Sequence, residues 1–292
     1  MPASRTLLVS ITLQPKSDEV TFRIPAWCPG YYFILNYQNK LSGFSAVDPE
    51  GHPLEVEHAD PRAWQVIDPG HRPITVSYRI MSDDPGLGFF GVNVRAAGAF
   101  VNGAAAFLYA DGYQTEPDRL HVDMPEGWAI ATAMDHAGET DFAAAGYDEL
   151  IDHPIEMGRF ARRTFKVLGI PFEAVFVAPD RANCNIEAET ERLRELSVPA
   201  IRMFGSAPFR HYIYIVHLPR VSNRQPLVRR RRDRLLRAPH PLPKRPEGRG
   251  LAARPARPAD RDAAKQPKPP GGDAGGVLAP RVGERRLWRW RS

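Results

Sequence analysis

Four side chains in one short stretch, Asp148, Asp152, His153 and Glu156, are of the types that hold a divalent cation or pass a proton. A capped turn at the domain junction is the preferred reading of the same four residues. The nine histidines are His52, His58, His71, His121, His136, His153, His211, His217 and His240. No two stand four apart, so no helix can aim an i, i+4 histidine pair at one zinc ion. His211 and His217 have the parity to share one face of a strand, but the span between them is long for two ligands of one ion. Cys28 and Cys184 form neither a metal-ligand spacing nor a disulfide framework and are expected to be ordinary thiols. No Gly-x-Ser-x-Gly elbow and no glycine-rich phosphate loop occurs. No catalytic, cofactor-binding or metal residue is therefore assigned.

The elements that would position such groups change character along the chain. Residues 1–219 carry 18 Lys and Arg against 28 Asp and Glu, whereas residues 220–292 carry 21 against 6. The overall charge of +5 thus averages an acidic body and a basic tail. No window reaches 18 apolar residues, which excludes a membrane-spanning helix, and the first ten residues lack the apolar run of a signal peptide. A cytoplasmic setting is expected.

Leu7, Val9, Ile11 and Leu13 alternate with other residues, as in a half-buried strand, and Val20, Phe22 and Ile24 are expected to form its partner after a turn at Pro15-Lys16-Ser17-Asp18. Pro29-Gly30 predicts a type II turn, with the aromatic residues around it filling the core; an aromatic platform for a sugar or peptide is the functional alternative. Further strands are expected near Trp64–Ile67, Ile74–Ile80 and Leu120–Met124. Many short strands separated by turns predict a β-sandwich-like domain. Beyond Phe160 the pattern becomes strand, helix, strand. Phe172–Ala178 is the first strand. The helix starts at the N-cap Asn185, carries an apolar stripe of Leu193, Leu196, Ala200 and Phe204, is kinked or split by Pro199, and stops at Gly205. The second strand runs from Arg210 to Leu218. After residue 219 Phe, Tyr, Ile, Met and Thr disappear and Arg, Pro, Ala and Gly dominate, which predicts a disordered tail. Trp288 and Trp290 are read as isolated.

The junction Phe142-x-Ala144-x-x-Tyr147-Asp148-x-Leu150-x-Asp152-x-Pro154-Ile155-Glu156-x-Gly158-x-Phe160 resembles that of the glycyl aminopeptidase family of zinc metallopeptidases. Pro25-x-Trp27-x-Pro29-Gly30-x-Tyr32, Asn36-Tyr37, Val101-Asn102-Gly103 and Pro125-Glu126-Gly127-Trp128 are similar to further elements of that family. The resemblance covers about residues 5–219. It implies an N-terminal β domain over 1–160, the truncated beginning of a thermolysin-like catalytic domain over 161–219, and usually a PDZ domain further on. It also implies zinc as cofactor, held by a His-Glu-x-x-His helix and a later glutamate, and peptides as substrates. This chain has no such motif. Where the family has a Gly-Leu-Glu-His-like segment, it has Arg220-Val221-Ser222-Asn223-Arg224-Gln225-Pro226.

The expectation is therefore a mainly β fold followed by a truncated α/β start and a disordered Arg/Pro-rich tail over 220–292. The composition break at 220–226 reads as a change of reading frame in a GC-rich gene. The chain would be an N-terminal fragment of an aminopeptidase, inactive as written and with no cofactor of its own. The alternative is a non-catalytic peptide- or protein-binding module. The basic tail would bind nucleic acid without specificity, since no folded recognition module accompanies it.

Overall fold

The computed structural model of the chain describes residues 5–31, 33–68, 70–82, 85–177, 184–218 and 286–291, the last of these as backbone. All fall in one compact unit. The expected mainly β architecture is what the structure shows.

The chain opens with β1 (Thr6–Leu13), β2 (Glu19–Arg23), β3 (Leu41–Val47), β4 (Glu55–Asp60), β5 (Ala63–Ile67) and β6 (Ile74–Met81). Leu7, Val9, Ile11 and Leu13 are buried, and β1 pairs antiparallel with β6 along its whole length. On the opposite face Ser10 meets Ser77 and Thr12 meets Thr75, each pair of hydroxyls 2.9 Å apart. The period of two thus separates an apolar face from a hydroxyl face. β2 is not the partner of β1. It pairs with β5 and with β9 (Tyr109–Ala110) in a second sheet, so the turn at 15–18 carries the chain between sheets instead of closing a hairpin. Period and turn chemistry are the same for both outcomes.

β7 (Val92–Arg95), β8 (Gly98–Val101), the one-turn α1 (Gly103–Ala106) and β10 (Asp118–Val122) follow, then β11 (Ala129–Ala131), β12 (Asp135–His136) and β13 (Asp141–Ala144). The Asn-Gly element caps α1, with the Asn102 side chain accepting from the Ala104 N–H. α2 (Tyr147–Asp152) and β14 (Ile155–Gly158) complete the junction stretch. One core cluster draws Leu7 and Tyr78 from one sheet, Phe22 and Val66 from a second, and Val101 and Ile155 from a third.

Tyr78 is fully buried in this core. Its phenol donates to the Ala106 carbonyl at 2.8 Å and accepts from the Leu108 N–H at 3.1 Å, satisfying two backbone groups where the chain leaves α1. Tyr78→Phe removes both bonds without changing the packed volume. We expect a loss of about 1–3 kcal/mol, read from urea denaturation. A variant as stable as the parent would show that water satisfies both groups.

β15 (Ala161–Val167), β16 (Ile170–Val177), α3 (Ile186–Phe204) and β17 (Tyr212–His217) form the expected α/β start, with β16 and β17 parallel. Phe172, Val175 and Phe176 of β16 are buried outside the main cluster. Asn185 caps α3 through the Ala188 N–H at 3.1 Å, and Gly205, at φ +75°, ends it. The helix runs unbroken through Pro199. That residue and Glu195, whose carbonyl loses its partner, are both exposed, so the carbonyl is open to solvent. The predicted stripe is not core: Leu193 is half-buried, while Leu196, Ala200 and Phe204 are exposed, Phe204 at 75%. Among the described residues β17 is the edge of its sheet.

Beyond residue 219 one segment is described. Residues 286–291 form β18 (Arg286–Arg291), an inner strand of the seven-stranded sheet, so Trp288 and Trp290 belong to an ordered element. Trp is among the residue types enriched in strands, and the segment carries two of them at alternate positions. The remainder of the predicted tail lies outside the described residues.

Candidate functional site

The four candidate groups of the junction separate. Glu156, in the middle of β14, turns inward and is fully buried. Its Oε1 accepts from Arg95 Nη2 of β7 at 3.0 Å, and its Oε2 lies 2.8 Å from Nε2 of His217, the last residue of β17. Phe89 and Phe100 stand edge-on to the His217 ring, with centroids 5.1 and 5.7 Å away. One carboxylate thus ties β14 to β7 and to the far end of β17. With the Arg95 guanidinium and the His217 ring on its two oxygens, Glu156 clamps the three strands together.

Asp148, Asp152 and His153 lie elsewhere, on α2 and just after it, along an open cleft of about 1340 Å³. Asp148 and Glu149 occupy the first turn of α2, whose N-cap position, Gly146, makes no side-chain capping bond, and Glu149 lies 3.9 Å from His153. His211 lines the same cleft, far from the surroundings of His217, so the two histidines do not act together. Trp27 lines it too. The Pro29-Gly30 turn forms as expected, with Tyr31 N–H bonding the Cys28 carbonyl at 3.1 Å and Gly30 at φ +81°. The aromatic residues around it are mostly not core: Trp27 is 51% and Phe33 67% exposed. Tyr31 is half-buried, stacked 4.2 Å from Phe90, Tyr37 is buried, and Tyr32 lies outside the described residues. The loop is anchored through Cys28, Leu35 and Tyr37, which leaves the flanking rings to solvent. Both cysteines are free thiols, and burial pushes the Cys28 thiol up, away from thiolate chemistry.

Among the described residues, one other group gathers possible ligands: Asp48, Glu50 and His52. A cation is already supplied there, because Arg72 reaches Asp48 at 2.9 Å and Glu50 at 2.6 Å. Burial raises the Asp48 carboxyl, but the backbone N–H and ring of His52 and the Arg72 guanidinium outweigh it and hold it at about 2. A depressed folded-state value stabilises above the unfolded value of about 3.9 and is lost as pH falls toward 2. We therefore expect the Tm difference between the parent and Asp48→Asn to be full at pH 5 and to shrink between about pH 4 and 2. A difference independent of pH would contradict this.

The described chain is thus a β-rich body followed by a parallel strand–helix–strand unit, with the buried Glu156 clamp between them. A crystal structure of an aminopeptidase N family protein from Idiomarina loihiensis is similar over 73% of this chain, at 27% identity and a TM-score of 0.68. This chain spans 37% of that protein's length. The chain belongs to the M61 peptidases: residues 1–159 match the peptidase M61 N-terminal domain.

Weaker likenesses include an M1 zinc metallopeptidase mutant from Deinococcus radiodurans bound to a Tyr-Ser-Ala substrate, at 17% identity, 73% of this chain, 53% of that one and a TM-score of 0.40. Legionella pneumophila aminopeptidase A gives 12% identity, 71% and 26% coverage and a TM-score of 0.38. No curated protein sequence matches the chain.

The relationship brings zinc into question, and the described residues do not fit it. The only cluster of three possible ligands among them is the Arg72-paired one, while Asp148, Asp152, His153 and His211 do not converge. The sequence reading missed the Arg95–Glu156–His217 clamp. Its signal was present: Glu156 interrupts Ile155-Glu156-Met157, a run of otherwise apolar strand residues. A charge in such a run is buried and needs partners.

Proposed function

We propose that this chain is the N-terminal part of a zinc-dependent aminopeptidase of the glycyl aminopeptidase type, with its β domain over 1–160 and the opening of its catalytic domain over 161–219. The carrying observation is a half-covered α/β unit. The face of α3 formed by Leu196, Ala200, Met203 and Phe204 is exposed, and among the described residues no strand pairs with the outer edge of β17. An amphipathic helix presents such a face when the layer that covers it is absent. The intact enzyme removes N-terminal residues from peptides, zinc polarising the scissile carbonyl and activating water. This chain, without a His-Glu-x-x-His helix, turns over no peptide, and its reading frame changes near residues 220–226. Purified chain incubated with zinc is expected to retain less than one ion per molecule after desalting and to leave aminoacyl substrates intact. One zinc per chain together with turnover would contradict this.

The exposed Trp27 beside the cleft favours a second reading, a peptide-binding module without catalysis. Saturable calorimetric binding of short peptides, lost in Trp27→Ala, would support it; a flat titration would leave the fragment reading alone.

A further inference from the structure

The seven-stranded sheet is held together by a strand remote in sequence. Its order is β12-β13-β10-β18-β1-β6-β3, so β1 and β10 do not pair with each other. β18 runs antiparallel to β1, from Leu8 opposite Arg291 to Thr12 opposite Leu287, and parallel to β10, from Asp118 beside Arg286 to Val122 beside Trp290. Without β18, two five-residue edges would face one another across the width of a strand, with their N–H and C=O groups unpaired. Both edges belong to the core: Val9, Ile11, Leu120 and Val122 are buried. Position 288 is level with Ile11 and Leu120, and position 290 with Val9 and Val122. Residues directly opposed in a sheet share a face, so these two positions take the core phase and 287, 289 and 291 the other.

We propose that the gap between β1 and β10 is a strand-accepting site for one extended peptide segment with apolar residues at alternate positions, and that residues 286–291 are its occupant in this chain. The two edges fix the occupant's direction, antiparallel to β1 and parallel to β10. Main-chain bonds on both sides supply affinity and the alternate positions supply selection, as in donor-strand complementation. The site is built from β1 and β10, within the M61 match, so it depends neither on the aminopeptidase reading nor on the reading frame of the tail.

The test compares the full chain with one ending at Glu284. Removing 285–292 is expected to lower Tm by about 5 °C or more, and a synthetic peptide of residues 284–292 to restore it saturably. The same peptide carrying Trp288→Asp and Trp290→Asp should fail, and one carrying Arg289→Glu should still act. If the shortened chain does not fold, hydrogen exchange decides on intact protein: Trp288→Asp should speed exchange in Leu8–Thr12 and Asp118–Val122. An unchanged Tm, no peptide rescue, or exchange insensitive to Trp288→Asp overturns the proposal. A dimer in which a second copy supplies the strand overturns the assignment to the chain's own end.

Discussion

Gly158→Ala is expected to destabilise the protein by about 2–6 kcal/mol, the sum of the strain of a side chain at positive φ and the overlap of the added carbon with backbone. Gly158 has φ +135°, and an added Cβ would lie 2.5 Å from the Ala97 carbonyl oxygen and 2.6 Å from the Gly98 Cα. Neither neighbour is a side chain that can swing away. Gly158 pairs with Gly98 on one side and Ala129 on the other, so a backbone shift would break the pairing of β14 with β8 and β11. A domain with a stability of about 5–15 kcal/mol tolerates little of this. Urea denaturation measures the loss, and a variant within about 0.5 kcal/mol of the parent, the range of a neutral surface change, would refute the close approach.

Arg95→Ala carries the second large expected effect, about 2–4 kcal/mol. Removing one partner of a buried pair leaves an uncompensated charge and costs about 3–5 kcal/mol. The value here is set lower because the Arg95 side chain is 40% exposed and His217 still holds the other oxygen. The cause is distinguishable by a double-mutant cycle. If Arg95 matters because Glu156 is charged and buried, Arg95→Ala combined with Glu156→Gln should cost clearly less than the two single losses added together. Additivity would mean that Arg95 acts through its own packing.

Features decided by local chemistry were legible in the sequence. The alternation in β1 and β6 marked a strand with one buried face, Asn185 and Gly205 marked the ends of α3, and Pro29-Gly30 marked a turn, because each depends on a few neighbouring residues. Features decided by distant partners were not. The same residues that make β2 a strand do not say whether it joins β1 or β5. The period of α3 identified a face but not whether anything covers it, and Leu196 and Phe204 are bare. Trp27 and Phe33 fit the composition of a core and stand outside it, since the turn between them is anchored by Cys28 and Tyr37 instead. The arginine-rich composition after residue 219 concealed that 286–291 finds two strand edges waiting. At the site, Asp148, Asp152, His153 and Glu156 are neighbours in sequence, but nothing local says that their elements send Glu156 into the core and the others to the cleft.

We propose that this chain is the front of an aminopeptidase whose reading frame changes after β17. Resequencing the coding DNA across codons 210–240, with translation in all three frames, tests it most directly. The account predicts that another frame continues β17 into a Glu-His segment and then a His-Glu-x-x-His helix. Three frames without that continuation would contradict it, and the β domain would then need a function of its own.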